Sequence, residues 1–237
     1  AGLKPDAVVV VATARALKLH GGVAKPDLNN ENVPALKKGM ENLIKHVENM
    51  KNVYGLPVVV AINKFPVDTD AELQAIEDAC KAIGVNVKLS DVWAKGGEGA
   101  MELAEEVVRL AEEKNDFAFS YDENLSIREK IEAIATKIYG ADGVDFIGKA
   151  AKEIDEIEAN GYTGTPVCIA KTQYSLSDNA ALLGRPEGFR ISIRSAKISA
   201  GAGFVVALAG DIMTMPGLPK VPSAEKIDVD ATGKISG

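Results

Sequence analysis

Residues 58–66 read VVVAINKFP, and this stretch decides the fold of the first half of the chain. Five consecutive apolar residues without polar alternation are typical of a strand that is covered on both faces in a parallel sheet. The apolar run ends at Asn63. We therefore expect Lys64, Phe65 and Pro66 to lie at the carboxyl edge of that sheet, where open α/β sheets bind their ligands.

The same apolar pattern occurs at Val8–Val11, which predicts a second strand covered on both faces. Between the two runs, apolar residues recur at helical spacing behind Asn32, a candidate helix cap. A helix between two such strands is a crossover connection, so the pattern indicates that the two strands are parallel.

Further elements extend this half of the chain. Thr69 and Glu72 form a capping box ahead of an amphipathic helix. Alternating apolar residues from Val85 to Leu89 predict a short strand, and another helix follows the glycine-rich turn Gly96–Gly99. Residues 1–118 are therefore predicted to be an α/β domain with a partial parallel sheet and flanking helices.

The second half has a different pattern. A capping box at Ser126 and Glu129 begins a helix, and we expect Val144, Ile147 and later isoleucines to continue helically. Strand patterns return at three places, Pro166–Ala170, Phe189–Arg194 and Phe204–Leu208. We therefore expect a smaller α+β C-terminal domain at residues 119–237, with a soft boundary near residues 116–123.

Composition excludes several classes of protein. The chain has 237 residues, 46% of them hydrophobic, and a net charge of −7, which opposes a nucleic-acid partner. No apolar stretch approaches the ~20 residues of a membrane span, so we expect a soluble protein. Two distant cysteines, Cys80 and Cys168, fit a reducing cytoplasm and are expected to be buried. Two histidines without further ligands at metal spacing make a metal site improbable.

One near-match to a nucleotide phosphate loop is present. Gly143, Gly148 and Lys149 have the G-x-x-x-x-G-K spacing, but Ala150 stands where a magnesium-binding hydroxyl is needed. No strand is predicted before it. We therefore expect no phosphate-binding role for this segment.

Two aromatic residues follow neighbouring predicted strands. Phe65 comes directly after the strand at 58–62, and Trp93, the only tryptophan, stands 28 residues later beside Lys95. Two rings at one sheet edge suit a flat heteroaromatic ligand, and the lysines Lys64 and Lys95 suit an anionic group. The alternatives are that both rings are core residues and both lysines are ordinary surface residues.

A guanine-nucleotide site is a further alternative. Asn63 and Lys64 are similar to the guanine-recognising segment of GTPases. That segment requires an acid two residues after the lysine, and Pro66 occupies the position here. We therefore discount GTP as the ligand.

The chain resembles the C-terminal portion of the formate–tetrahydrofolate ligase family. The resemblance runs nearly end to end, and its ordered, unusual strings make coincidence negligible. They are GLKPDA (2–7), RALKLHGG (15–22), AINKFP (61–66), DTDAEL (68–73), WAKGG (93–97), IYGADGV (138–144), AKTQYSLS (170–177), SAGAGF (199–204) and TMPGLP (214–219).

The resemblance implies an activity. The family uses ATP with Mg²⁺ to join formate to the N10 nitrogen of tetrahydrofolate by way of formyl phosphate. It also implies that Phe65 and Trp93 hold the pterin ring between them, with Pro66 and Leu89 as apolar walls. Lys64 and Lys95 would then face the anionic glutamate tail.

The family's phosphate loop lies upstream of the GLKPDA string. We therefore expect ATP to be bound mainly by an N-terminal half, supplied as a longer chain or as a partner, and these 237 residues alone to be inactive. The strand edge at Val8–Val11 is the expected docking surface. The resemblance also implies a homo-oligomer when complete. The alternative is a catalytically inactive folate-binding or scaffolding module.

Overall fold

A computed structural model describes residues 2–212 and 219–236. Helices flank a parallel sheet, so the predicted α/β fold is confirmed. The TMPGLP string at 214–219 lies, apart from Pro219, outside the described residues. In the described part of the chain, no helix combines the length and the apolar character needed to cross a bilayer.

The first sheet has three parallel strands. They are β1 (Val8–Ala12), β2 (Val58–Asn63) and β3 (Asn86–Ser90), in the spatial order β1-β2-β3. Because β2 is central, its apolar run is buried on both faces as predicted.

Helices cover this sheet. They are α1 (Ala14–His20), α2 (Val33–Glu48), α3 (Asp70–Ala82), α4 (Val92–Lys95) and α5 (Met101–Ala111). The two predicted caps are confirmed. The side chain of Asn32 accepts a hydrogen bond from the Ala35 N–H at the start of α2, and Thr69 and Glu72 form the capping box of α3.

The prediction that β1 is covered on both faces is wrong. Val9 and Val11 are 38% and 64% exposed, whereas Val8 and Val10 pack against the core. The reason is the position of β1 at the edge of the sheet, since α5 packs against β2 and β3. The outer face of β1 is therefore bare in the described residues.

The second half builds a separate mixed sheet. Its elements are α6 (Ile127–Ala133), β4 (Val144–Phe146), α7 (Ala150–Ala159), β5 (Val167–Ala170), β6 (Ile191–Ser199) and β7 (Phe204–Ala209). The order is β4-β6-β7-β5, with β6 and β7 antiparallel and both outer strands parallel to their neighbours. A short hairpin of β8 (Asp228–Val229) and β9 (Ile235–Ser236) follows.

The prediction that Val144 and Ile147 continue a helix is wrong. Gly140 ends the preceding helical segment in the left-handed conformation, with φ 77°. Val144 then begins β4, which pairs with β6 in parallel. Ile154 and Ile157 do lie on the helix α7 as predicted, so only the earlier residues, Val144 and Ile147, mimicked a continuation of that helical face.

The strand β4 also lies within the near-match to a nucleotide phosphate loop. A strand does precede Gly148 and Lys149, but it lies inside the motif and leaves only residues 147–149 before α7. The ammonium of Lys149 is also paired with Glu153 at 2.7 Å. So short a connection cannot wrap a phosphate chain, and the expectation of no phosphate-binding role rests now on this geometry.

Two π-helical turns meet between the two halves and were not predicted. The first (Asn49–Val53) extends α2, and the second (Ile134–Tyr139) extends α6. The side-chain amide of Asn49 donates to the carbonyl of Ile138 at 2.8 Å. The two halves have separate hydrophobic cores, one within residues 12–85 and one within 127–209. The domain boundary near residues 118 and 119 stays a prediction.

The cysteines differ in exposure. Cys80 is buried on α3, as predicted, but Cys168 is exposed on β5, so the prediction of two buried thiols is half wrong. β5 is an edge strand of the second sheet, and alternate side chains of a strand point to opposite faces.

Candidate functional site

The carboxyl ends of β2 and β3 lie side by side. The two strands are parallel neighbours, and Asn63 pairs with Ser90 at their last residues. The ladder continues one step further, because the N–H of Lys64 donates to the carbonyl of Ser90 at 3.1 Å. The residues that follow each strand therefore begin at the same sheet edge.

A tight turn fixes the backbone of Phe65. The N–H of Phe65 donates to the carboxylate of Asp68 at 2.8 Å, and the N–H of Asp68 donates back to the carbonyl of Phe65 at 3.0 Å. Pro66 occupies the second position of this turn, where its fixed φ is favourable. The ring of Phe65 nevertheless remains 41% exposed.

A second clamp holds the short helix α4, which carries Trp93. The N–H of Asp91 donates to the carbonyl of Gly99 at 2.9 Å, and the N–H of Lys95 donates to the carbonyl of Asp91 at 3.0 Å. Gly99 allows this close approach, because a Cβ there would lie 2.4 Å from the oxygen of Asp91. The indole of Trp93 is 80% exposed.

These exposures exclude the alternative that both rings are core residues. Neither Phe65 nor Trp93 belongs to the buried residues of either core, and both backbones are held in place while the rings face solvent. Leu89, at 37% exposed, and Pro66 are also accessible at this end of the sheet.

Sequence analysis missed two apolar neighbours in the same segments. Val67 and Val92 are each 44% exposed, one in the turn after Phe65 and the other directly before Trp93. Their position beside the two predicted aromatic residues was the available signal. An isolated valine beside a turn carries no periodicity, so the pattern gave it no weight.

The two lysines differ in their partners. The ammonium of Lys95 lies 3.3 Å from the carboxylate of Asp91, one helical turn away. Lys64 forms no ion pair with any residue in 2–212 or 219–236. Lys64 is therefore the cation with more of its charge available to a ligand.

A buried ion pair joins the helices next to this edge of the sheet. Lys18 of α1 lies 2.9 Å from Glu72 of α3, and the two side chains are 1% and 0% exposed. Lys18 also donates to the carbonyl of Asn30 at 2.9 Å, and Glu72 accepts from the N–H of Asn32 at 2.9 Å. The pair thus ties α1, the start of α2 and the start of α3 together.

The charge state of Glu72 follows from these contacts. Burial raises its pKa, but the N–H groups of Asn32 and Thr69 and the ammonium of Lys18 together lower it below the usual 4.5. Glu72 is therefore ionised at neutral pH. The capping box predicted a role for Glu72 in starting α3, but the sequence gave no sign of its partner Lys18.

The comparison with known families covers the whole chain. The family model for formate–tetrahydrofolate ligase matches residues 1–237. The match includes both segments that carry the exposed rings, AINKFP and WAKGG. The chain therefore belongs to the formate–tetrahydrofolate ligase family.

Proposed function

We propose that these residues supply the folate-binding region of an ATP-dependent ligase that joins formate to N10 of tetrahydrofolate by way of formyl phosphate. One observation carries the proposal. Phe65 and Trp93 are exposed rings on fixed backbones that follow neighbouring parallel strands. This is the edge at which an open α/β sheet binds its ligand.

The pterin ring is flat and apolar on both faces, so it stacks on aromatic side chains. Each aromatic contact contributes ~0.5–1.5 kcal/mol beyond the burial of its area. We assign Phe65 and Trp93 to the two faces of the pterin, with Pro66 and Leu89 as the apolar walls. The turn at Asp68 and the backbone hydrogen bonds of Asp91 hold the two segments in place before binding, which reduces the entropy that binding would otherwise cost.

The glutamate tail of the folate is anionic and needs a cation. Lys64 directly precedes Phe65, and Lys95 lies two residues after Trp93. Since Lys95 is already paired with Asp91, we assign the larger contribution to Lys64. In this proposal the chain's own residues bind and orient the folate.

The residues present do not fit the ATP and Mg²⁺ that the family uses. The one near-match, Gly143 to Lys149, contains β4 and leaves no room for a phosphate chain. We therefore place the phosphate-binding groups in the N-terminal half of the ligase and route no chemical step through the residues described. Val9 and Val11 on the bare face of β1 are our proposed contact with that half.

The complete protein is proposed to be a cytoplasmic homo-oligomer, as the family resemblance implies. The alternative is a folate-binding module without catalytic activity. A reconstitution experiment distinguishes this module from the ligase. Adding an N-terminal half that bears a phosphate loop, as a separate chain, restores formyltetrahydrofolate synthesis if the ligase proposal is right. Folate binding without any synthesis in that mixture would favour the inactive module.

The folate site itself is tested by the emission of Trp93, the only tryptophan. Titration with tetrahydrofolate should change this emission saturably. The matched control is p-aminobenzoylglutamate, which keeps the tail of the folate but lacks the pterin, and it should leave the emission nearly unchanged. An unchanged emission with both ligands would contradict the assignment of Trp93.

A further inference from the structure

A cavity of about 400 Å³ lies at the junction of the two halves. Its walls come from Tyr54, which directly follows the first π-helical turn, from the second π-helical turn, from the segment 119–123 and from the edge strand β5. Tyr54 of this cavity precedes β2, whereas Phe65 follows it. The cavity and the proposed folate site are therefore separated by the length of β2, on the order of 20 Å.

The walls are mainly apolar and include several aromatic rings. Tyr54, Phe119, Tyr139 and Phe204 all line the cavity, and Cys168 contributes a thiol. Burial raises the pKa of Tyr139 to about 12, with smaller contributions from the nearby Cys168 and Tyr54, so its hydroxyl stays neutral. Walls of this kind stack well on a flat ring.

The backbone of β5 presents hydrogen-bonding groups along the same cavity. β5 pairs only with β7, and the N–H of Val205 donates to the carbonyl of Pro166 at 2.9 Å. In a parallel ladder the groups of alternate residues point to opposite sides. Accordingly, the N–H of Val167 points away from β7 and donates to the Tyr121 hydroxyl at 3.0 Å.

The next groups on that outer side are the carbonyl of Val167 and the N–H of Ile169. The ladder with β7 uses the other side of β5, and outside that ladder neither group has a hydrogen-bond partner in the described part of the chain. An acceptor at one residue and a donor two residues later match a heterocycle that carries an N–H donor beside a ring nitrogen acceptor. An unpaired strand edge favours a ligand that completes these bonds.

The charge of the residues that line the cavity further restricts the class of ligand. Glu123 is the one charged residue among those that line the cavity, and its negative charge disfavours phosphate and carboxylate groups. A volume of about 400 Å³ is within the usual range for small-molecule sites and accommodates a bicyclic ring with a neutral substituent.

We propose that this cavity is a second ligand site, which binds a neutral, planar N-heterocycle of the aminopurine type between the aromatic walls and the edge of β5. The exocyclic amine donates to the carbonyl of Val167, and the adjacent ring nitrogen accepts from the N–H of Ile169. This second site is independent of the proposed folate site and shares no residue with it.

Cys168 provides a direct reporter of occupancy. It is exposed in the cavity, whereas Cys80 is 1% exposed and burial raises its pKa to about 11. Iodoacetamide should therefore alkylate Cys168 selectively. The probe is adenosine, and saturating adenosine should slow alkylation of Cys168 at least tenfold, measured by mass spectrometry of the peptides.

The matched probe is purine riboside, which lacks the exocyclic amine but keeps the ring and the sugar. It should protect Cys168 at least tenfold less well than adenosine. Ile169→Pro removes the N–H at an edge position and should abolish protection, whereas Ile169→Val keeps it. The probe comparison uses the unaltered chain, so a folding defect in Ile169→Pro does not affect it. Absence of protection by millimolar adenosine, or equal protection by both probes, would overturn the proposal.

Discussion

The turn that carries Phe65 and the start of α3, which carries Glu72, are close in sequence but differ in burial and in polar contacts. Phe65 is 41% exposed and is not part of the core, whereas Lys18 and Glu72 are almost completely buried and are paired with each other and with backbone groups. We propose from this difference that ligand affinity and fold stability depend on separate side chains. In this proposal the exposed rings bind the folate, and the buried pair maintains the backbone that carries Phe65.

The largest effect is expected at the buried pair. Glu72→Ala removes one partner and leaves the Lys18 ammonium buried without its counter-charge, which should cost ~3–5 kcal/mol of unfolding free energy. Chemical denaturation followed by circular dichroism measures this. The matched control is the double change Lys18→Met with Glu72→Leu, which should recover much of the loss. A single-variant loss below ~1 kcal/mol would show that the pair does not support the fold.

The second-largest effect is expected on tetrahydrofolate affinity, in the variant Trp93→Ala. Trp93→Ala removes a ring that is 80% exposed, so stability should change by less than ~0.5 kcal/mol. Tetrahydrofolate binding should weaken by ~1–3 kcal/mol, or about 5- to 150-fold, as for an aromatic anchor at a preformed site. Isothermal calorimetry provides the affinity, and Val108→Ala, at an apolar residue on α5 that is 61% exposed, is the control. Equal weakening by both variants would contradict a specific role for Trp93.

A pH dependence should follow from Glu72. Its pKa is lower in the folded than in the unfolded state, so the unfolded chain binds more protons once the pH falls below about 4.5. The stability contributed by Glu72 is present above that pH and is lost as the pH falls through the folded pKa, at up to ~1.4 kcal/mol per pH unit.

Denaturation of the parent and of Glu72→Gln between pH 5 and pH 3 measures this contribution. The difference between the two proteins should shrink as the pH falls, because the variant has no proton to gain at this position. A constant difference across that range would show that the pKa of Glu72 is not lowered by folding.

The smallest effect is expected at Lys95. Its ammonium is 63% exposed and already paired with Asp91, so Lys95→Ala should weaken binding of a polyglutamylated folate by less than ~1 kcal/mol. Lys64→Ala should weaken it more, and both effects should decrease at high salt. A larger effect from Lys95 than from Lys64 would reverse our assignment of the tail.

Local patterns in the sequence predicted the framework well. The apolar run at 58–62 and the capping boxes at Thr69 and Ser126 act within a few residues, so the sequence alone contains the information for β2, α3 and α6. The two aromatic residues after neighbouring strands are different, because their spacing alone left the core alternative open and only the family resemblance indicated a ligand site. The structure shows both rings exposed, and their role in binding pterin stays a prediction.

Features that depend on distant contacts were not predictable. The partner of Glu72 is Lys18, 54 positions away, and no local pattern links them. Exposure of β1 depends on where α5 packs, and the strand at Val144 depends on its pairing with Ile191 of β6, 47 residues downstream. The two π-helical turns likewise follow from packing between the halves, through contacts such as Asn49 with Ile138.

The affinity of Phe65→Ala for tetrahydrofolate, followed by Trp93 emission, tests the separation of binding from stability most directly. Phe65 is exposed, and its turn is held through the backbone and Asp68, so the variant should unfold at the same denaturant concentration as the parent. Its affinity should fall by about 5- to 150-fold. Unchanged affinity in a folded variant, or a loss of stability that matches the loss of affinity, would contradict the account.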